Sequence, residues 1–208
     1  MYQPPHFREE RVDVLHALMR AHPLATLVTN AGGRLDANHI PMLLDADRGS
    51  HGILRAHMAR GNDLALRHDP AFEVLVIFQG IESYISPSWY ETKRETGKVV
   101  PTWNYVTVHV HGRLTLIDDP AWLLTQITAL TGEQEGSRDA PWHVGDAPET
   151  FIQSQIKGII GLEIEITSVE GKWKVSQNRP QADRAGVIDG LAGQGDAEMA
   201  RLVAEWKK

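Results

Sequence analysis

The stretch that decides the fold is YISPSWYETKRETGKVVPTWNYVTVHVHGRLTLIDDP, residues 84–120. Its second half alternates with period two from Trp103 to Ile117. Val106, Val108, Val110, Leu114 and Leu116 point one way, and Tyr105, Thr107, His109, His111, Arg113 and Thr115 point the other. That pattern predicts a half-buried strand with one face toward a core and one carrying rings, hydroxyls and charge. An earlier strand closes on Tyr84 and Ile85. The intervening loop holds Trp89, Tyr90 and Trp103, which with Tyr105 make four of the ten Trp and Tyr residues in the chain. Rings with a polar tip are costly to leave in water, so the loop is expected to cover a ligand, a partner subunit, or both.

Outward from this strand pair, the elements read as antiparallel. MYQPPHF is a Pro-broken arm, and Arg8 to Ala21 carries apolar residues at helical spacing until Pro23 ends the helix. Leu24 to Asn30 and Leu35 to Asp45, joined by Ala31-Gly32-Gly33, predict a hairpin. Gly52 to Ala59 predicts a third strand that stops at Arg60-Gly61-Asn62, before a short helix capped by Asn62 or Asp63 with free amides near Arg60 and His57. Phe72 to Phe78 is apolar on both faces and suits a central strand. Asp119-Pro120 caps and starts a helix, Asp146-Ala-Pro148 starts another, and a mobile connector with Trp142 lies between them. Ile159 to Val169 alternates, and Glu170-Gly171 reads as a turn into Lys172 to Gln177, making a last hairpin. The segment NRPQADRAGVIDGL follows, and Asp196 to Trp206 closes the chain as an amphipathic helix. The order favours a mainly β fold with flanking helices (α+β), a small antiparallel barrel in one domain over 1–208, with 146–208 supplying a helix, a hairpin and a C-terminal helix packed on it.

Composition narrows the chemistry. The chain has 208 residues, 42% of them hydrophobic and 23% charged, enough for one full core. No cysteine is present, which removes disulfides, thiolate nucleophiles and Cys-ligated metals. No leader or membrane-length apolar run is visible, so a cytoplasmic protein is expected, with no membrane partner. A net charge of −6 argues against a general nucleic-acid binder. No dinucleotide fingerprint, P-loop, HExxH or GxSxG occurs, and no catalytic residue stands out. His109 and His111 share a strand face at a spacing that could ligate a metal, but a third ligand is missing and no metal is expected.

Several blocks carry a further resemblance: ANHIPMLL (37–44), HMARGN (57–62), FQGIESYISPSWY (78–90), VPTWNYVTVHVHGRL (100–114) and GKWKVSQNRPQADRAGV (171–187). Together they resemble the PaiB family, FMN-binding negative transcriptional regulators. The resemblance implies a Greek-key split β-barrel of the FMN-binding type, a flavoprotein that forms a homodimer with flavin sites at the subunit interface. It implies phosphate contacts at His57, Arg60 and Asn62, a ring-lining strand at Trp103, Asn104, Tyr105 and Thr107, and closure of the site by the partner's C-terminal hairpin, at the positions of Lys174, Gln177 and Arg179.

The residues themselves support each role alongside a plainer one. A guanidinium, an imidazole and helix-terminal amides suit a phosphate, yet HMARGN also reads as an ordinary strand-to-helix turn. His39 could donate to a flavin carbonyl or be a rim histidine. Lys172, Lys174 and Arg179, near Ser176, Gln177 and Asn178, could hold a flavin or an anionic substrate, or line the solvent side of an edge strand. Three functions stay open: a regulator acting through bound flavin or a partner, a flavin-dependent oxidoreductase on a small molecule, and a haem-binding protein using His39 or His57. Direct DNA contact is possible only through Lys93, Arg94 and Lys98 on the loop or the cations of 172–179, because no helix-turn-helix or basic stripe is present.

Overall fold

Residues 1–206 are described by a computed structural model. After a 3-10 turn at Pro5–Phe7, the elements in chain order are β1 (Arg8–Glu9), α1 (Val12–Ala21), β2 (Leu24–Ala31), β3 (Arg34–Pro41), β4 (Leu43–Asp45), β5 (Ile53–Ala59), α2 (Leu64–Arg67) and β6 (Val74–Ile85). There follow α3 (Glu91–Thr96), β7 (Thr102–Ile117), α4 (Pro120–Glu135), α5 (Glu149–Lys157), β8 (Ile159–Lys174), α6 (Gln181–Gly193) and α7 (Ala197–Glu205). Eight strands form one sheet in the order β3-β2-β6-β7-β8-β5-β4, with β1 also beside β8. The hairpin β2–β3 keeps a strict register from Leu24↔Pro41 to Ala31↔Arg34. Its turn uses Gly32 and Gly33 at φ 62° and 88°, where a side chain would be strained. The Asn30 side-chain oxygen accepts from the Gly33 amide at 2.8 Å and fastens the turn.

Contacts divide the chain into two compact units. The first comprises Met1–Leu15, Gln79–Val108 and the described residues from Glu170 on; the second comprises His16–Phe78 and His109–Val169. In the first, Val106 and Val108 of β7 are buried with Val187 and Leu191 of α6 and Met199 and Val203 of α7. Trp173 stacks on Trp206 at 5.6 Å, and the Arg11 guanidinium sits over the Trp206 ring at 4.8 Å. In the second unit, Leu27, Leu54, Val76, Val110, Leu162 and Ile164 are buried strand residues, joined by Leu123 of α4. Glycine permits the tight approach there: a Cβ at Gly112 would lie 2.5 Å from Ile164 Cγ2 and 2.6 Å from the Glu165 carbonyl oxygen.

Three sequence expectations are corrected by the structure, and a segment given no element gains one. The last hairpin does not form: β8 runs unbroken from Ile159 to Lys174, and Glu170-Gly171 lies inside it. Gly171 is small for packing, since a Cβ there would meet Leu15 Cδ2 at 2.1 Å and the Glu9 carbonyl oxygen at 2.8 Å as β1 pairs alongside. The first helix starts only at Val12, because Arg8 and Glu9 pair with Lys172 and Gly171 as a strand. The aromatic loop is partly helical, with a 3-10 turn at Pro87–Trp89 and then α3. NRPQADRAGVIDGL holds most of α6, whose Gly186 and Gly190 lower helix propensity but make room for Trp89.

Candidate functional site

In the first unit, β7, β8 and the turn after β8 bring polar side chains into one place. Asn104 sits on the apolar face of β7, 1% exposed, and its amide nitrogen donates to Ser176 Oγ at 3.0 Å. Ser176 has φ 62°, the only positive φ of a non-glycine among the described residues. The turn is closed locally: the Gln177 amide nitrogen donates to the Trp173 carbonyl at 2.5 Å, and its oxygen accepts from the Val175 amide at 2.8 Å. Lys174 Nζ donates to Thr102 Oγ1 and to the Trp103 carbonyl. Lys172 Nζ donates to the Tyr2 carbonyl at 2.9 Å and lies 5.3 Å from the Tyr105 ring centroid. The Arg179 guanidinium lies 4.6 Å over the ring of buried Tyr90.

No carboxylate forms a salt bridge with Lys172, Lys174 or Arg179 among the described residues. Burial, then the charges of Lys172 and Arg179, hold the Lys174 ammonium below its ordinary pKa. A dianionic phosphate would relieve that repulsion, so this donor set fits the anionic end of a flavin mononucleotide. Beside it, Asp183 is 1% exposed and accepts from the Thr92 amide and hydroxyl, both at 2.9 Å, which joins α6 to the start of α3. Sequence reading missed Asp183 because the helix carrying it was not recognised.

His39, His57, Arg60 and Asn62 lie in the second unit, each with its own partner. His39 on β3 is exposed and faces Thr26 in the ladder. Asn62 donates through its amide nitrogen to Asn38 Oδ1 at 2.8 Å, and its oxygen caps Leu64 at 2.9 Å. Arg60 makes a forked ion pair with Asp118, at 2.8 and 2.5 Å. It also donates to the carbonyls of Lys157 and Ile159, at 3.0 and 2.9 Å. Little of its donor set is left for an outside anion. The amides expected to be free are engaged too, Arg60 N with the Gly158 carbonyl and Asn62 N with the Ala59 carbonyl, both at 2.9 Å. His57 Nδ1 meets Gln126 Oε1 of α4 at 2.7 Å. Trp103 is 53% exposed and packs edge-on against half-exposed Tyr84, while Thr107 is buried. No group of three or more His, Asp or Glu side chains among the described residues could hold a metal. Nor is any helix among them long and apolar enough to cross a membrane.

Comparison with known proteins places the chain in a family. The family described as "Putative FMN-binding domain" matches residues 1–168. An uncharacterised protein of Emericella nidulans is 36% identical over 94% of this chain and 92% of its own. The protease synthase and sporulation protein PAI 2 of Bacillus subtilis, a PaiB protein, is 29% identical over 99% of this chain and 97% of its own. Among solved structures, the FAD and heme binding protein of Mycobacterium smegmatis superposes with a TM-score of 0.57 at 14% identity, over 80% of this chain and 73% of that one. The antiparallel sheet with flanking helices is thus of the flavin-binding split-barrel type.

Proposed function

The chain belongs to this FMN-binding family and has a flavin cofactor, and from that premise we propose that it is a PaiB-type regulator that acts through its bound flavin rather than by reading DNA itself. The observation that carries the reading is the set of Lys172, Lys174 and Arg179 without a carboxylate partner among the described residues, which suits the flavin phosphate. Lys174 and Arg179 take the anion directly. Lys172, held by the Tyr2 carbonyl, adds charge from behind. Asn104 and Ser176 fix the turn that carries them. Arg60 has a structural role in this reading, tying the end of β5 to Asp118. When bound, a flavin gains and loses one or two electrons, which gives the protein a redox state to report.

Against direct operator recognition, the loop cations already have neighbours. Arg94 pairs with Glu91 at 3.0 Å, and Lys93 donates to Ser88 Oγ at 3.0 Å. A second copy of the chain fits the exposed Tyr84 and Trp103 pair as the partner surface. Sedimentation equilibrium at micromolar concentration is expected to give a dimer; a monomer overturns that part.

The phosphate assignment is tested by titrating wild type, Lys174→Met and Arg60→Ala with FMN and with riboflavin, which lacks the phosphate. Loss of a charge-assisted hydrogen bond in Lys174→Met is expected to weaken FMN by about tenfold or more and leave riboflavin nearly unchanged. Arg60→Ala is expected to affect both ligands alike. The opposite pattern, with Arg60→Ala selective for FMN, would return the phosphate to HMARGN. Absorption of the purified protein separates the cofactors, since flavin gives near-ultraviolet and blue bands and haem a Soret band.

A further inference from the structure

We propose a second ligand site, separate from the flavin, in the groove between α4 and α5 of the second unit: it binds a small neutral aromatic molecule whose hydroxyl donates to His57 Nε2. The groove arises from the connector between the two helices, which lays Trp142 and Val144 across Ile127 and Leu130 of α4 and Phe151 and Ile152 of α5. The cavity measures about 260 Å³ and continues into a neighbouring one of about 530 Å³ that shares Val144 and Ile152 in its wall. A closed apolar cavity of roughly 150 Å³ accepts benzene, so the nearer space suits one substituted ring.

The chemistry of the wall selects the ligand. No Lys, Arg, Asp or Glu lines the nearer cavity. A charged ligand would lose its hydration there without compensation, so the occupant is neutral. Trp142 and Phe151 are 48% and 56% exposed, large apolar surface that a ring would cover.

The polar contact is set by Gln126. Its side-chain oxygen can only accept, so in the neutral ring the bond at 2.7 Å places the proton on His57 Nδ1 and leaves a lone pair on Nε2. Gln126 is fully buried, and its amide nitrogen has no hydrogen-bond partner. A buried glutamine on a helix whose other inward residues are apolar is costly if it only fills space. Its evident effect is to fix the histidine tautomer.

The test is calorimetric titration of the flavin-loaded protein with p-cresol, toluene and 4-methylbenzoate. One added hydrogen bond is expected to make p-cresol bind about tenfold more tightly than toluene, with no binding of the carboxylate. His57→Phe is expected to abolish the preference while toluene still binds. Ile152→Trp fills the cavity and is expected to remove binding of both while flavin is retained. If His57→Phe does not fold, Trp142→Ala serves in its place, losing affinity for both rings severalfold with urea unfolding still cooperative. Equal binding of p-cresol and toluene by wild type, unchanged binding in Ile152→Trp, loss of flavin in Ile152→Trp, or no binding of any probe at millimolar concentration would each overturn the proposal.

Discussion

Asn104 and Ser176 hydrogen-bond each other in both directions: the amide nitrogen donates to the hydroxyl at 3.0 Å, and the hydroxyl donates back to the amide oxygen at 3.2 Å. Both side chains are buried, and Ser176 holds a left-handed backbone that a serine rarely adopts. The pair therefore fixes the turn between β8 and α6 from inside the first unit. Ser176→Ala keeps the unfavourable backbone and strands the Asn104 amide, which costs about 1–3 kcal/mol. Urea unfolding at constant m-value measures it, and a change below the error of the midpoint would remove the pair from this role.

A second expectation concerns α6. A Cβ at Gly186 would lie 1.9 Å from the Trp89 carbonyl oxygen, and one at Gly190 would lie 2.3 Å from the indole. Exchange of a mid-helix glycine for alanine ordinarily stabilises by about 1 kcal/mol. Gly186→Ala is instead expected to destabilise, by about 1–3 kcal/mol, through overpacking. Gly132→Ala in α4, where a Cβ meets nothing within 4 Å, is the control and should raise the thermal midpoint.

Acid stability follows from Glu9. Burial works to raise its carboxyl pKa, but hydrogen bonds from the Arg11 side chain and amide, the Arg11 charge and the hydrogen bond from the Glu10 amide outweigh burial and hold it below its ordinary value. The unfolded state then binds the proton more readily. The stabilisation is complete above the unfolded value and is lost as pH falls through the folded one. Glu9→Gln should be less stable than wild type at pH 7 and converge with it below the folded pKa. Urea midpoints across that range check the sign, and parallel curves would refute it.

Duplex DNA should bind only weakly. With Arg94 and Lys93 engaged by neighbours and Lys172 buried, few cations remain to release counterions. An anisotropy titration against the promoter of its own operon at about 150 mM salt, with and without FMN, should give about 10⁻⁴ to 10⁻⁶ M without sequence preference. Nanomolar, selective binding would make the chain itself the repressor.

The parts of this fold that were legible in the sequence are those governed by neighbours in the chain. β7 declared itself because its alternation spans one half-buried strand, and Asp119 and Asp196 announced their helices because a cap acts within three residues. Gly171 misled because an Glu-Gly pair marks turns as readily as close approach, and the distinction depends on Leu15 and Glu9 far away in sequence. The same holds for Arg60. Its motif reads as anion-seeking until Asp118 is found beside it, an encounter that only β5 and the end of β7 in three dimensions create. Gln126 was passed over for a related reason, as one polar residue on an apolar helix face acquires meaning only from His57.

The first unit is stitched from segments at the start, middle and end of the sequence, whereas every residue of the second has been added once Val169 is in place. A chain cut after Val169 therefore keeps every residue of the second unit and lacks Lys172, Lys174 and Arg179. Truncation at that point removes the place assigned to the phosphate without taking a residue from the second unit, which separates the folding of one unit from the ligand of the other.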